Sequence, residues 1–185
     1  MLIKQLICDT LELQGFCIAS VDKKASGIVV SIEPDLRYHP RCSVCGHSGD
    51  YRDTLPERSF RHVPLWGIDV YLVYSPCRVR CAFCGGIHVE QLPWAAGKRR
   101  FTKALAVTIA TWARQLTWHQ VSLLFGCSWG TVAAAVDYAV SYGLARRDLS
   151  GITHIGIDEI SRQKGHVYLT NVYNLKTGTL IWSNE

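Results

Sequence analysis

Four cysteines carry the clearest chemistry in this sequence. Cys42-Ser43-Val44-Cys45-Gly46 and Cys81-Ala82-Phe83-Cys84-Gly85 are two C-x-x-C-G segments. Two thiolates two residues apart on a tight turn can both face one tetrahedral ion, and the glycine that follows lets the backbone turn back toward the sulfurs. Two such knuckles make a closed four-sulfur site, which is structural because no position stays open for water. The expected ion is zinc. The competing readings are two unrelated pairs or a redox C-x-x-C, but a redox motif comes singly and inside a βαβ pattern that this sequence lacks. Cys77 is expected to be a buried strand residue, His47 and His88 to be bystanders, and Cys8, Cys17 and Cys127 to be small core residues.

The second chemical feature is charge. The net charge of +5 is unevenly spread. Between Pro76 and Arg147, nine basic residues (Arg78, Arg80, Lys98, Arg99, Arg100, Lys103, Arg114, Arg146, Arg147) face only Glu90 and Asp137, so this stretch is +7 and the remainder −2. Such one-sidedness is the electrostatic footprint of a surface that follows a phosphate backbone. No stretch approaches the ~18 consecutive apolar residues of a membrane helix, and the N-terminus lacks a signal-peptide pattern. The expectation is a cytoplasmic, nucleoid-associated protein with no membrane partner.

The elements that must position these residues divide into four segments. Residues 1–36 form a lead-in element, with a short amphipathic run (Leu2, Ile3, Leu6, Ile7) and strands over Phe16–Val21 and Gly27–Ile32 joined by a turn at 22–26. Residues 37–95 form a β-rich four-cysteine zinc module, with a strand over Ile68–Tyr74 and Arg78 and Arg80 on the strand leading into Cys81. Residues 96–150 are helical, with apolar residues at three- and four-residue spacing over 102–116. Two further helices are expected over 118–125 and 129–142, with Thr117 and Ser128 as N-caps, Gly126 in the turn and Gly143 as a C′ glycine. From residue 151 the period returns to two, giving strands over 154–160, 166–173 and 179–182 with turns at 162–165 and 174–178. The fold class is thus α+β and multi-module.

Residues 117–143 have the form of a helix-turn-helix, packed through Val121, Leu124, Phe125, Val132, Val136 and Val140. A plain helical hairpin would show the same apolar faces, and the flanking basic clusters favour double-stranded DNA as the partner. Ser128, Trp129 and Thr131 open the second helix, where base contacts form. Trp129, Gly130, Ala133 and Ala134 include no side chain capable of a bidentate base contact. Either this helix reads thymine methyls and groove shape, or it mainly positions the protein and the sequence is read by Lys98, Arg99, Arg100, Arg146 and Arg147, which bracket the helices, with Lys103 as a further DNA contact.

His154-Ile155-Gly156-Ile157-Asp158-Glu159-Ile160-Ser161 places an aspartate on an apolar strand. Alone, Asp158 reads as a turn former or a solvated charge. The order of a paired C-x-x-C module, a helix-turn-helix and an Ile-Gly-Ile-Asp-Glu strand resembles, over essentially the whole chain, the DDE insertion-sequence transposases of the ISL-three family. The resemblance implies that Cys42, Cys45, Cys81 and Cys84 are that family's zinc finger and that Asp158 is the first acid of its catalytic triad. It also implies that residues 151–185 begin a ribonuclease H-like sheet, in which three carboxylates hold two magnesium ions for phosphoryl transfer. No acid lies between Glu159 and Glu185. The expectation is therefore a truncated or split transposase, catalytically incomplete as given. It would bind the element's terminal inverted repeats, as a homodimer or together with a full-length transposase, and would need magnesium only in a full-length catalytic domain. The alternatives are a stand-alone zinc-containing helix-turn-helix repressor and a zinc protein that binds other proteins.

Overall fold

The computed structural model describes residues 7, 8, 11, 13–163 and 167–184. Leu2, Ile3 and Leu6 of the amphipathic run, and residues 164–166 in and just after the first turn of the C-terminal strands, lie outside the described residues. The chain forms two compact units, residues 1–141 and 142–185, and its class is α+β.

In the first unit, β1 (Phe16–Lys24) and β2 (Gly27–Pro34) form an antiparallel hairpin, and β4 (Arg58–Leu65) and β5 (Ile68–Tyr74) form another. Parallel pairing of β2 with β5 (Val30 opposite Leu72) joins them into one sheet of order β1-β2-β5-β4. The pairing unites strands that the sequence pattern divides between a lead-in element and a zinc module. Alternation gives the sheet one apolar face, where Val30, Ile32, Phe60, Val70, Leu72 and Tyr74 are buried. Trp94 seals that face with its ring edge-on to Phe16 at 4.9 Å and Tyr74 at 5.6 Å.

A second sheet, of order β3-β6-β7, comprises β3 (Asp50–Thr54), β6 (Cys77–Arg80) and β7 (Ile87–Val89) and carries the cysteine pairs at its end. Buried Glu90 ties the two sheets together. Its Oε1 accepts from the Tyr74 hydroxyl at 2.7 Å and the Cys77 N–H at 2.6 Å. A buried carboxylate needs such donors to offset its lost hydration.

The helical part contains α1 (Lys103–Ala113), α2 (Trp118–Leu124) and α3 (Trp129–Leu144). Thr102 caps α1 by accepting from the Leu105 N–H, and Thr117 with Gln120 forms a capping box on α2. Ser128 Oγ accepts from the Thr131 N–H at 3.1 Å at the start of α3, as the sequence predicts. The three helices close on Leu105, Ala106, Ile109, Val121, Val132 and Ala135. Two packing expectations are corrected, because Leu124 and Val140 are exposed while Ala135 is buried. Gly143 does not terminate α3 either; it stays out of the left-handed region and the helix runs through it to Leu144.

The second unit holds β8 (Ile155–Gln163), β9 (Val167–Asn174) and β10 (Thr179–Asn184) in an antiparallel sheet of order β10-β9-β8. Among the described residues, no single helix is long and apolar enough to cross a membrane.

Candidate metal centre and nucleic-acid interface

The two knuckles are built by local backbone geometry. Gly46 and Gly85 adopt φ of 74° and 71°, the left-handed turn that a Cβ would strain. The Cys42 N–H bonds to the His47 carbonyl and the Cys81 N–H to the Gly86 carbonyl, so each loop closes on itself. The Val44 N–H points at Cys42 Sγ at 3.4 Å. The four sulfurs of Cys42, Cys45, Cys81 and Cys84 lie within 4.8 Å of one another, with Cys42 to Cys84 at 3.7 Å and Cys45 to Cys81 at 3.4 Å.

A tetrahedral ion with metal–sulfur bonds of about 2.3 Å needs sulfurs about 3.8 Å apart. The donor set therefore fits a metal such as zinc. The backbone N–H of Cys84 draws the Cys81 thiol down to about 6, so one ligand is ready as thiolate at neutral pH. Cys77 behaves oppositely. Burial, reinforced by the carboxylate of Glu90, pushes its thiol up to about 12, and it stands outside the cluster as a strand residue. His47 stacks on Phe83 at 3.8 Å and His88 Nε2 lies 2.9 Å from the Gly85 carbonyl, so both support the knuckles without joining the sulfurs. Cys8 and Cys127 are half-buried, but Cys17 is exposed on β1, contrary to its expected place in the core.

The helices α2 and α3 bend by 106° across the break between them, within the range of a helix-turn-helix. Gly126 supplies the turn with φ of 53°. One residue that sequence reasoning missed fixes this turn to the sheet. Arg61 on β4 donates through Nη2 to the Phe125 carbonyl at 2.5 Å and through Nη1 to the Gly126 carbonyl at 3.1 Å. Its Nη2 also pairs with Asp69 Oδ1 at 2.8 Å. Its main chain exchanges hydrogen bonds with Arg100 and Thr102, which docks the segment leading into α1 on the edge of β4. Next to it, His62 Nδ1 lies 2.9 Å from the Oγ1 of Thr102, and burial lowers the pKa of its ring. Thr102 Oγ1 also accepts from the Leu105 N–H, so the hydroxyl links His62 to the start of α1. The only available sequence signal was an alternating Phe60-Arg61-His62, which reads as an ordinary strand.

The basic residues fall into two groups. Lys98, Arg100 and Arg80 are exposed. Arg78 is paired with Asp53, whose carboxyl it holds below the usual range. Arg99 pairs with Asp137 of α3 at 3.0 Å and lies over the Tyr138 ring, binding the basic run to that helix. Lys103 is the first residue of α1, with its N–H on the Trp94 carbonyl. In the second unit, Arg146 stacks over Tyr142 at 3.6 Å and Arg147 donates to the Ile181 carbonyl. Trp129 opens α3 with its ring 4.9 Å from that of Trp118 and more than half exposed.

Residues 90–140, which cover α1, α2 and most of α3, match the family model for the helix-turn-helix domain of transposase family ISL3. The chain is related to the ISL3-type transposases. Over 158 residues, 84% of this chain and 35% of the relative, it is 30% identical to the transposase for insertion sequence element IS1557 of Mycobacterium tuberculosis, strains CDC 1551 and H37Rv. Over 141 residues it is 26% identical to the transposase for insertion sequence element IS1001 of Bordetella parapertussis, covering 76% of this chain and 35% of that one. The aligned part is thus about a third of the length of these relatives. No solved structure matches this chain.

Asp158, the acid singled out by sequence, sits exposed on β8 opposite Asn171 of β9. Asn171 is buried and its Oδ1 accepts from Ser183 of β10 at 2.7 Å, so a polar row crosses the three strands on one face. Glu159, next along β8, falls on the other face by the pleat.

Proposed function

We propose that this chain is the DNA-binding N-terminal part of an ISL3-type transposase, and that it binds the terminal inverted repeats of its element. The observation that carries the reading is the capped three-helix unit. Its α3 begins at exposed Trp129 and is flanked by Lys98, Arg99 and Arg100. In this reading α3 enters the major groove, Ser128, Trp129 and Thr131 meet it first, and Arg80, Lys98, Arg100, Lys103, Arg146 and Arg147 neutralise phosphates. Arg78 and Arg99 act less directly, since each is already paired with an aspartate.

The ion at the four cysteines is zinc with a structural role, holding residues 37–95 as a zinc ribbon. Residues 1–36 lead into it, 96–150 form the DNA-binding domain, and 151–185 open a ribonuclease H-like domain. In a longer chain Asp158 would bind magnesium with two further acids. The 185 residues offer one such acid, and two magnesium ions need more carboxylates than that. The protein works in the cytoplasm on the nucleoid, as a homodimer or beside a full-length transposase.

The test is a binding titration with duplex DNA bearing the element's ends, across a salt series. Replacing exposed Arg100 with alanine should flatten the slope of log K against log salt by about 0.9 per lost phosphate contact. An unchanged slope removes the basic run from the interface. A magnesium-dependent strand-transfer assay tests the catalytic part, and activity from the 185-residue chain alone refutes it. A stand-alone repressor would use residues 1–150 identically; the downstream DNA distinguishes the two, because remnants of a second aspartate and a glutamate favour the transposase.

A further inference from the structure

We propose that the end of the four-stranded sheet, made by the β1–β2 and β4–β5 turns, is a second DNA-contacting element that grips the duplex beside the groove occupied by α3. Lys23 and Lys24 meet phosphates there, and Trp66 packs against the sugar edge. The inference rests on the reading of α3 as the DNA-binding helix.

Three observations converge on this end of the sheet. The first is Trp66. It and Gly67 form the two-residue loop that the Leu65–Ile68 pair closes, and both are left-handed, with φ of 51° and 76°. Such a loop favours asparagine, aspartate or glycine at its first position, and a bulky side chain there is an outlier. The Trp66 side chain is 84% exposed, so the fold gains almost no burial from it. A strained, exposed aromatic at a hairpin tip is accounted for by something outside the fold.

The second is place. Gly27 at the β1–β2 turn lies so close to Asp69 that a Cβ on it would sit 2.3 Å from the Asp69 carbonyl oxygen. Asp69 pairs with Arg61, and Arg61 holds the carbonyls of Phe125 and Gly126. Through these direct contacts the two sheet turns and the helix-turn-helix turn meet, three residues before Trp129 opens α3. A recognition helix enters the groove by its N-terminal end, so groups beside that end face the neighbouring backbone.

The third is charge. Lys24 pairs with Gly27 at the tip and Lys23 with Ile28, and both lysines are exposed. The two nearby acids are engaged. Asp69 is paired with Arg61, and Asp22 is drawn back along β1 by the Ser20 hydroxyl at 2.6 Å. Lysine pairs flanking an exposed aromatic suit a duplex backbone, since ammonium groups displace counterions and an indole covers deoxyribose.

The experiment uses the whole chain with its metal and a mixed-sequence DNA duplex long enough to extend past the helix-turn-helix footprint. The variants are W66G, the double variant K23A/K24A, and W129A as a separate report on α3. Glycine suits the left-handed position, so W66G should fold at least as stably as the original, which separates a folding role from a binding role. W66G should weaken binding severalfold with the salt slope unchanged. K23A/K24A should lower the slope by about 1.8, the value for two phosphates. If both variants bind like the unaltered chain while W129A loses affinity, the sheet-end contact is refuted and α3 stands. If the unaltered chain does not bind the duplex at low salt, both readings fall.

Discussion

Replacing Arg61 with methionine should separate the stability of the helices from that of the sheet. Methionine keeps the length and apolar stem of the side chain but removes two hydrogen bonds to the turn carbonyls and the pair with Asp69. A hydrogen bond from a charged donor contributes about 1.5–3 kcal/mol. The lower figure applies here, because water can reach the carbonyls once the guanidinium has gone. The pair with Asp69, itself 38% exposed, adds about 0.5 kcal/mol. Against this, Arg61 Nε is buried with no hydrogen-bond partner among the described residues, and its removal returns roughly 1 kcal/mol. The net loss is about 2–3 kcal/mol, equivalent to a fall of about 5–10 °C in melting temperature for a unit of this size. Helical circular dichroism and tryptophan fluorescence, followed together in a urea titration, are the assay. The R61M helices should melt ahead of the environment of Trp94, whereas the unaltered protein should show one coincident transition. Arginine-to-lysine at the same position should recover at most half the loss, since one ammonium cannot reach three acceptors. A free-energy change below about 0.5 kcal/mol with coincident transitions would show that Arg61 does not hold the turn.

Metal removal is a second perturbation: a chelator should unfold the β3-β6-β7 sheet and abolish DNA binding, and full binding by the stripped protein would break that link. Cobalt loaded in its place should give the absorption of a tetrahedral thiolate site, and C77S should leave that spectrum unchanged because Cys77 stands outside the cluster. Acid should loosen the junction between sheet and helices through His62. Its folded pKa lies below the ordinary 6.5, so its contribution is complete above about pH 6.5 and is lost as the pH falls toward the folded value. H62Q should flatten that part of the pH–stability curve, and an unaltered curve would clear His62 of the effect. W66G should raise stability by about 1 kcal/mol in a thermal melt, because glycine relieves the left-handed strain.

What the sequence made legible was mostly local. The knuckle glycines, the Thr117 and Ser128 caps and the alternating strands each depend on a few adjacent residues, and each forms as its pattern implies. The parallel pairing of β2 with β5 was not legible, because strands with one apolar face pair equally well on paper with several partners. Arg61 was invisible for a related reason: beside an aspartate of its own hairpin, its acceptors are two sequence-distant carbonyls that any residue could supply. Leu124 and Val140 misled because periodicity selects an apolar face without saying how much of it the neighbouring helix covers. Trp66 escaped notice since a Leu-Trp-Gly-Ile run looks like continuous strand, and only its φ reveals a turn.

The buried carboxylate of Glu90 also bears on the order of folding. The first knuckle lies in the long connection between β2 and β5, and the second follows β5. Closing the parallel pair therefore brings the knuckles near each other, and capturing an ion across them shortens the loop that the parallel pair must close. Glu90 joins the two events, since it can be desolvated only when the end of β5 and the start of β6 are both in place to donate to it. A chain emerging from the ribosome would thus take up its metal late, after the β4–β5 hairpin. Refolding with the ion present should then show one cooperative phase where the stripped chain shows a slow second one.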